Sequence, residues 1–352
     1  MNSRLLCCDI FYKEGKEKKS VNKIKFVIIL LGACVILSNG ILYAQEIKLA
    51  QTGFQFLSVS SDARASGMAE AVNSREIASS SMFFNPACMA TLPNMVETSF
   101  SLNSFIADIK YVAFSLAYRP SLGQYGVIGL SLQSVDYGDL DHTMIFPNTQ
   151  GFVDMGTFNP SALAIGIGYA KSLSDKFSVG GNVKYVYQYL GTSVIEEGVN
   201  TLKKKNIADV IAFDFGTLFD TGFKGIKFGM SVRNFAREIK YENENFQLPL
   251  LFTLGVSTDL NNLIELDKEM HSLIASVDLT HPRAHAEQLK IGFDYTLMNM
   301  LSLRTGYTLN NDEDGLTFGV GVSKFGIEFD YAYAPFGIFD NVQRITGRIA
   351  IK

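Results

Sequence analysis

The chain has 352 residues, 47% of them hydrophobic, with 27 Phe, 15 Tyr and 30 Gly but only 8 Pro, no Trp and a formal net charge of −4. That length allows one large domain or two ordinary ones, and the spread of Lys and Arg along it indicates no nucleic-acid partner. Beyond residue 50 no apolar run approaches the roughly 20 residues of a membrane-spanning helix, so a membrane form of this protein crosses as strands.

Residues 1–44 read as a secretory signal. Lys16, Lys18, Lys19, Lys23 and Lys25 form a positive region, an apolar region follows from Phe26 to Leu37, and Leu42-Tyr43-Ala44 precedes a cleavage point before Gln45. An uncleaved anchor competes with this reading, but about twelve apolar residues are short for a span. Leu31-Gly32-Ala33-Cys34 also matches a lipoprotein box, against which the apolar stretch continues through Val35-Ile36-Leu37. Of the 4 cysteines, only Cys88 survives cleavage, which excludes a disulfide-stapled fold.

Residues 45–94 share neither the signal's pattern nor that of the chain beyond. They contain a helix-like run of small residues at 62–70 and the stretch Ser81-Met82-Phe83-Phe84-Asn85-Pro86-Ala87. Asn before Pro favours a turn, so Asn85-Pro86 is read as ending a local element.

From Met95 onward, apolar residues alternate with polar or small ones at period two, which puts the two sets on opposite faces of strands. Near the C-terminus Ile345, Ile349 and Ile351 oppose Arg344, Thr346, Arg348 and Lys352. About fourteen such segments occur, each of roughly eight to fourteen residues, and an even count permits a closed antiparallel barrel. Short connections near 121–123, 172–175, 221–224, 298–300 and 324–325 alternate with mostly longer ones at 136–160, 190–206, 236–247, 281–287, 310–315 and 334–341, as periplasmic turns alternate with outer loops; a short outer loop at 103–108 and a long periplasmic one at 259–271 break the pattern. Asp294, Arg304, Glu328, Asp330, Arg344 and Arg348 fall on the polar face of their segments. In a soluble sandwich that face meets water; in a barrel it meets the lumen. The secretory signal, the strand count and the Phe and Tyr near strand ends favour the barrel. The expected fold is therefore all-β: a transmembrane antiparallel β-barrel of about 14 strands over 95–352, whose lumen has room for the 45–94 segment as a hatch.

Phe56-Leu57, Ala63-Arg64, Gly67-Met68, Ala71 and Phe84-Asn85-Pro86-Ala87 together resemble the N-terminal signature of the PorV/PorQ family of outer-membrane proteins, relatives of the FadL-type transporters. The resemblance continues at Phe105-Ile106-Ala107-Asp108-Ile109, Val135-Asp136-Tyr137-Gly138-Asp139, Leu248-Pro249-Leu250-Leu251-Phe252, Asp278-Leu279-Thr280-His281-Pro282 and Asp330-Tyr331-Ala332-Tyr333. It implies a fourteen-strand barrel with an N-terminal hatch in the outer membrane, with lipid around it and secretion-system proteins or cargo as partners; the alternative is a channel for a hydrophobic ligand. This chain departs from the family pattern at Cys88, Phe84, Ser74-Arg75-Glu76 and Lys352.

The sequence contains no HExxH, phosphate-binding loop, Gly-x-Ser-x-Gly or Cys-x-x-Cys, so no catalytic residue, metal or cofactor is expected. His281 and His285 lack further ligands at metal-binding spacing and are read as surface residues. Ala63, Arg64, Gly67, Phe84, Asn85, Pro86 and Ala87 are the hatch or gate candidates. The lumen charges are read as ion pairs bracing hatch against wall, and Lys203-Lys204-Lys205 as a solvated outer loop.

Overall fold

The computed structural model describes residues 52–352, apart from 198–199, 242–243, 262–266, 268–269, 311–314 and 338–340. The signal at 1–44, the cleavage point before Gln45 and Cys34 lie outside the described residues. In chain order the strands are β1 (Val96–Ser104), β2 (Lys110–Tyr118), β3 (Val127–Asp136), β4 (Leu140–Ile145), β5 (Phe152–Phe158), β6 (Ser161–Ser172), β7 (Phe177–Glu197), β8 (Asn200–Asp220) and β9 (Lys227–Phe235). They continue as β10 (Ile239–Tyr241), β11 (Glu244–Phe246), β12 (Leu251–Asp259), β13 (His271–Pro282), β14 (Gln288–Leu297), β15 (Leu301–Leu309), β16 (Leu316–Lys324), β17 (Ile327–Ala334) and β18 (Val342–Ile351).

Fourteen of these close an antiparallel barrel, while β4–β5 and β10–β11 form separate two-stranded ribbons. Closure is made by β1, whose Phe100 lies opposite Phe114 of β2 on one side and Gly347 of β18 on the other. Each of the alternating segments found in the sequence contributes one barrel strand.

The direction of the alternation decides between sandwich and membrane barrel. On β18, Ile345, Ile349 and Ile351 are 50–55% exposed, whereas Arg344 and Arg348 are 7% and 4% exposed. A soluble sandwich would bury the isoleucines; here the charges are inside and the apolar face is turned outward to lipid. Among the described residues no helix is long and apolar enough to cross a membrane. Most wall strands have 8–12 residues, which at about 3.3 Å per residue and a tilt near 45° spans the apolar band of an outer membrane.

At one end the connections are mostly tight: the β6–β7, β14–β15 and β16–β17 turns hold only two to four residues. Short turns mark this as the periplasmic end. The other end differs from the sequence reading in detail, because three stretches read as loops contain strands. Residues 136–160 hold the β4–β5 ribbon, 236–247 hold the short β10–β11 ribbon, and 190–197 and 200–206 continue the β7–β8 hairpin, whose strands have 21 residues each. Past the bilayer both faces of a strand meet water, so no apolar alternation remains to announce it.

Residues 52–94 run through the lumen. The N–H of Gly53 donates to the carbonyl of Gln247 at 3.0 Å, and Phe54 stacks on Phe246 of β11 at the outer end. The segment leaves at the opposite end, where the N–H of Met95 donates to the carbonyl of Ile351 at 2.9 Å. Its helices are short. Asp62 caps a single turn (Ala63–Ser66) by accepting from the N–H of Ala65 at 2.9 Å, and the expected helix over 62–70 goes no further. The backbone turns left-handed at Ala69 and Glu70, which halts it.

Candidate functional site

The lumenal segment is bound to the wall in two different ways. Toward β14–β18 the contact is ionic. Arg64 pairs with Glu328, Asp62 with Arg348, Arg75 Nη2 with Asp294 Oδ2 at 2.6 Å, and Lys290 Nζ with Glu70 Oε2 at 2.8 Å. Behind these, Arg304 binds Asp294 at 3.2 Å and Asp330, and Arg348 also binds Asp330. The registers Asp294↔Arg304 and Glu328↔Arg348 place opposite charges side by side on neighbouring strands. Five carboxylates meet five cations here, so the charge is balanced in a place water barely reaches. Arg344 stands beside this network and donates from Nε to the carbonyl of Ser60 at 3.2 Å. The N–H of Ala63 donates to Thr346 Oγ1 at 2.9 Å.

Toward β3 and β6–β12 the contact is one of shape. Met82 and Met89 lie over Gly129 and Gly168, and Pro86 and Ala87 lie over Gly180. A Cβ on Gly180 would come within 2.6 Å of the Ala87 nitrogen, a distance that no side chain can occupy. The ionic side has glycine seats as well: Gly67 rests on Gly319 of β16, where the Cβ distance would be 2.9 Å, and Met68 lies over Gly292 of β14 and Gly306 of β15. Asn73 is the hub of the side held by shape. Its N–H donates to Asp278 Oδ2 at 2.8 Å, its Nδ2 to the carbonyl of Thr253 at 3.2 Å, and its Oδ1 accepts from Ser231 Oγ at 2.6 Å.

Asn85 joins that hub to the wall, donating from Nδ2 to the carbonyl of Asn73 at 2.7 Å and to that of Thr217 at 3.1 Å. Its Oδ1 accepts from the N–H of Ala87 at 3.0 Å and caps the 3-10 helix Pro86–Thr91, with Pro86 in the first turn. Asn85-Pro86 ends an element, as the sequence was read, because the 3-10 helix Ser80–Phe83 stops at Phe84; it also starts the next one, since Pro fits the first helical position. Phe84 is buried beneath the Arg233 guanidinium, 5.5 Å from the ring centre, and Arg233 also donates to the carbonyl of Phe83.

The two groups of candidates are therefore apart. Ala63, Arg64 and Gly67 sit with Glu328, Asp330, Arg304 and Arg348, while Phe84, Asn85, Pro86 and Ala87 sit against β7–β9. Missed in the sequence were Asp62, Glu70, Asn73 and Arg75, whose only signal was that polar residues interrupt a run of small ones; Asp278 and Lys290 were legible as polar-face charges of their strands, but not as partners of the segment.

Burial opposes ionisation of Glu70, yet Lys290 overcomes it and holds the carboxyl below its usual pKa. For Arg64 the loss of solvent is outweighed by Glu328 and Asp330, which raise its pKa. Arg75 goes the other way: burial outweighs Asp294, with Arg64 nearby adding repulsion. Cys88, fully buried, has its thiol pushed up by burial and is chemically inert. His281 pairs with Glu287 at 2.8 Å, and the described residues contain no metal-binding cluster of His, Cys, Asp and Glu.

Between the lumenal segment and the wall lies a cavity of about 30 Å³, lined by Leu57, Met82 and Phe84 together with Glu70, Lys184, Asp214 and Arg233. It has room for about two waters.

The family described as type IX secretion system protein PorV matches residues 43–278, more than half of the chain. The chain belongs to the PorV family. The fold is shared with solved outer-membrane barrels. The Ralstonia pickettii toluene transporter TbuX is 12% identical with a TM-score of 0.56, covering 86% of this chain and 100% of that one. The CymD monoaromatic hydrocarbon channel is 11% identical with a TM-score of 0.56, covering 83% and 98%. A Pseudomonas aeruginosa FadL homologue is 13% identical with a TM-score of 0.54, covering 84% and 99%. No curated protein matches the chain. At such identities the likeness to the solved barrels concerns the fold, and this PorV-family protein is an outer-membrane β-barrel. Its family and fold are those of transport and secretion barrels rather than enzymes.

Proposed function

We propose that this protein is a docking or shuttle component of type IX-like protein secretion, working from the outer membrane on other polypeptides. The observation that carries this reading is the occupied lumen: a balanced set of ion pairs and a close-packed glycine seat hold the 52–94 segment across it. A barrel so filled offers its outer end, not its interior, as the working surface. There the β4–β5 ribbon carries Ile145, Phe146, Phe152 and Met155 exposed, Ile145 by 92%. Apolar residues clustered on a water-facing ribbon fit a protein contact. Deletion of the gene is expected to strip a set of proteins from the cell surface, and an unchanged surface proteome would remove this reading.

The second reading, a FadL-type channel for hydrophobic small molecules, draws support from the shared fold. It requires an apolar lumen pocket beside Phe84. The cavity there is small and carries Glu70, Lys184, Asp214 and Arg233, a lining that does not suit an apolar ligand.

A further inference from the structure

The rim of the barrel has a step at β8. On the β7 side, β8 is paired through Tyr189↔Ile207 and on to its outer end, and the wall beyond reaches the same rung through Ser161↔Tyr189. On the β9 side pairing stops at Phe213↔Phe235, after a bulge next to Phe215. From that rung outward the β9-facing edge of β8 has no strand partner among the described residues. β7 is treated differently, because its outer part is covered where Phe158 of β5 packs on Gly191.

The inner face of this stretch is sealed. Ala208, Val210 and Ala212 share an apolar cluster with Ile239 and Leu248. The outer face is apolar and exposed at Ile207 and Ile211, with Asp209 exposed between them. Residues 207–212 therefore present a row of backbone N–H and C=O groups at the height of the wall, flanked by lipid-facing isoleucines. In apolar surroundings an open sheet edge is costly, and added strands are what such an edge accepts.

We propose that the β9-facing edge of β8, over residues 206–212, binds an extended segment of an exported polypeptide as an added β-strand. Charge limits the occupant. Outward the edge continues to the exposed Lys205 and Lys204, so the strand it takes alternates apolar residues along Ile207 and Ile211 and carries carboxylates at its outer end. This rests on the docking reading above and adds to it the site and the chemistry of the partner. Alternation supplies specificity on one face while the main chain supplies affinity.

The test uses the full-length protein in lipid nanodiscs and hydrogen exchange over residues 204–213. The probe is a synthetic peptide of alternating valine and threonine ending in three aspartates; its control has the same sequence with alternate amides N-methylated, which keeps charge and apolarity but blocks pairing. The probe is expected to slow exchange at 206–212 about tenfold and the control to leave it unchanged. Lys205→Glu is expected to weaken the effect. No slowing, equal slowing by both peptides, or an edge already covered by a second copy of the chain would overturn the proposal. If the edge fails this test while gene deletion still strips the surface proteins, the edge is wrong and docking stands; if the edge binds and the surface proteome is unchanged, the docking reading falls instead.

Discussion

Two sides of one lumenal segment are fastened by opposite means. Against β14–β18 it is held by charge, through Arg64, Asp62, Arg75 and Glu70, in addition to glycine seats under Gly67 and Met68; against β3 and β6–β12 it is held by fit, without ion pairs to the segment among the described residues, with methionines and backbone laid on glycines and a single asparagine hub. Charges reach across several ångströms and tolerate small shifts, but they are costly once a partner is removed. A glycine seat adds little through any one contact and tolerates no added atom. The difference implies that deletion of a side chain harms chiefly the first side, whereas enlargement of a seating glycine harms either.

The largest effect is expected on the charged side. Asp330→Ala removes the closer of the two carboxylates that Arg304 and Arg348 share, leaving them only the more distant Glu328 between them, and should cost about 3–5 kcal/mol, read as a lowered unfolding temperature of the detergent-solubilised barrel. A loss no greater than that of an exposed substitution would mean water reaches the network.

Next comes the fitted side. Gly180→Val drives a side chain into the Pro86–Ala87 backbone and should cost about 1–3 kcal/mol by overpacking. It should also expose Cys88, which in the wild type is buried and inert, so maleimide labelling in the folded state separates displacement of the segment from general loss of stability. Asn85→Ala follows, removing a helix cap and two bonds to carbonyls; about 1–2 kcal/mol is expected, in the same unfolding assay.

The smallest effect is that of acid on Glu70. Its folded pKa lies below the unfolded one, so its pair with Lys290 stabilises above the unfolded value of about 4.3 and is lost as pH falls through the lower folded value. The stability gap between wild type and Glu70→Gln should therefore be present at neutral pH and close under acid; a gap independent of pH would show that Glu70 acts by packing alone.

The same contrast explains what could be read from sequence. The wall was legible because lipid outside and a filled lumen inside impose a strict period of two, as Ile345, Ile349 and Ile351 against Arg344 and Arg348 show. Lumen charges could be assigned to a face for the same reason, but their partners could not, since Arg64 meets Glu328 from 264 positions away. The fitted side left fainter traces. Asn73 bonds to three different wall strands, yet in sequence it is one polar residue among small ones. Gly180, Gly216 and Gly229 look like any strand glycines until the segment lying over them is seen. The β7–β8 overhang outward of residue 206 was read as a loop because water on both faces leaves no pattern, whereas 207–212, level with the wall, keeps the alternation of a barrel strand.

Electrical conductance of the purified protein in a planar bilayer tests the central claim most directly, that the lumen is closed by a pinned segment and the protein works from its outer surface. The wild type should show no steady open channel, and Gly180→Val should show steps. Steady wild-type conductance equal to that of the variant would contradict the account.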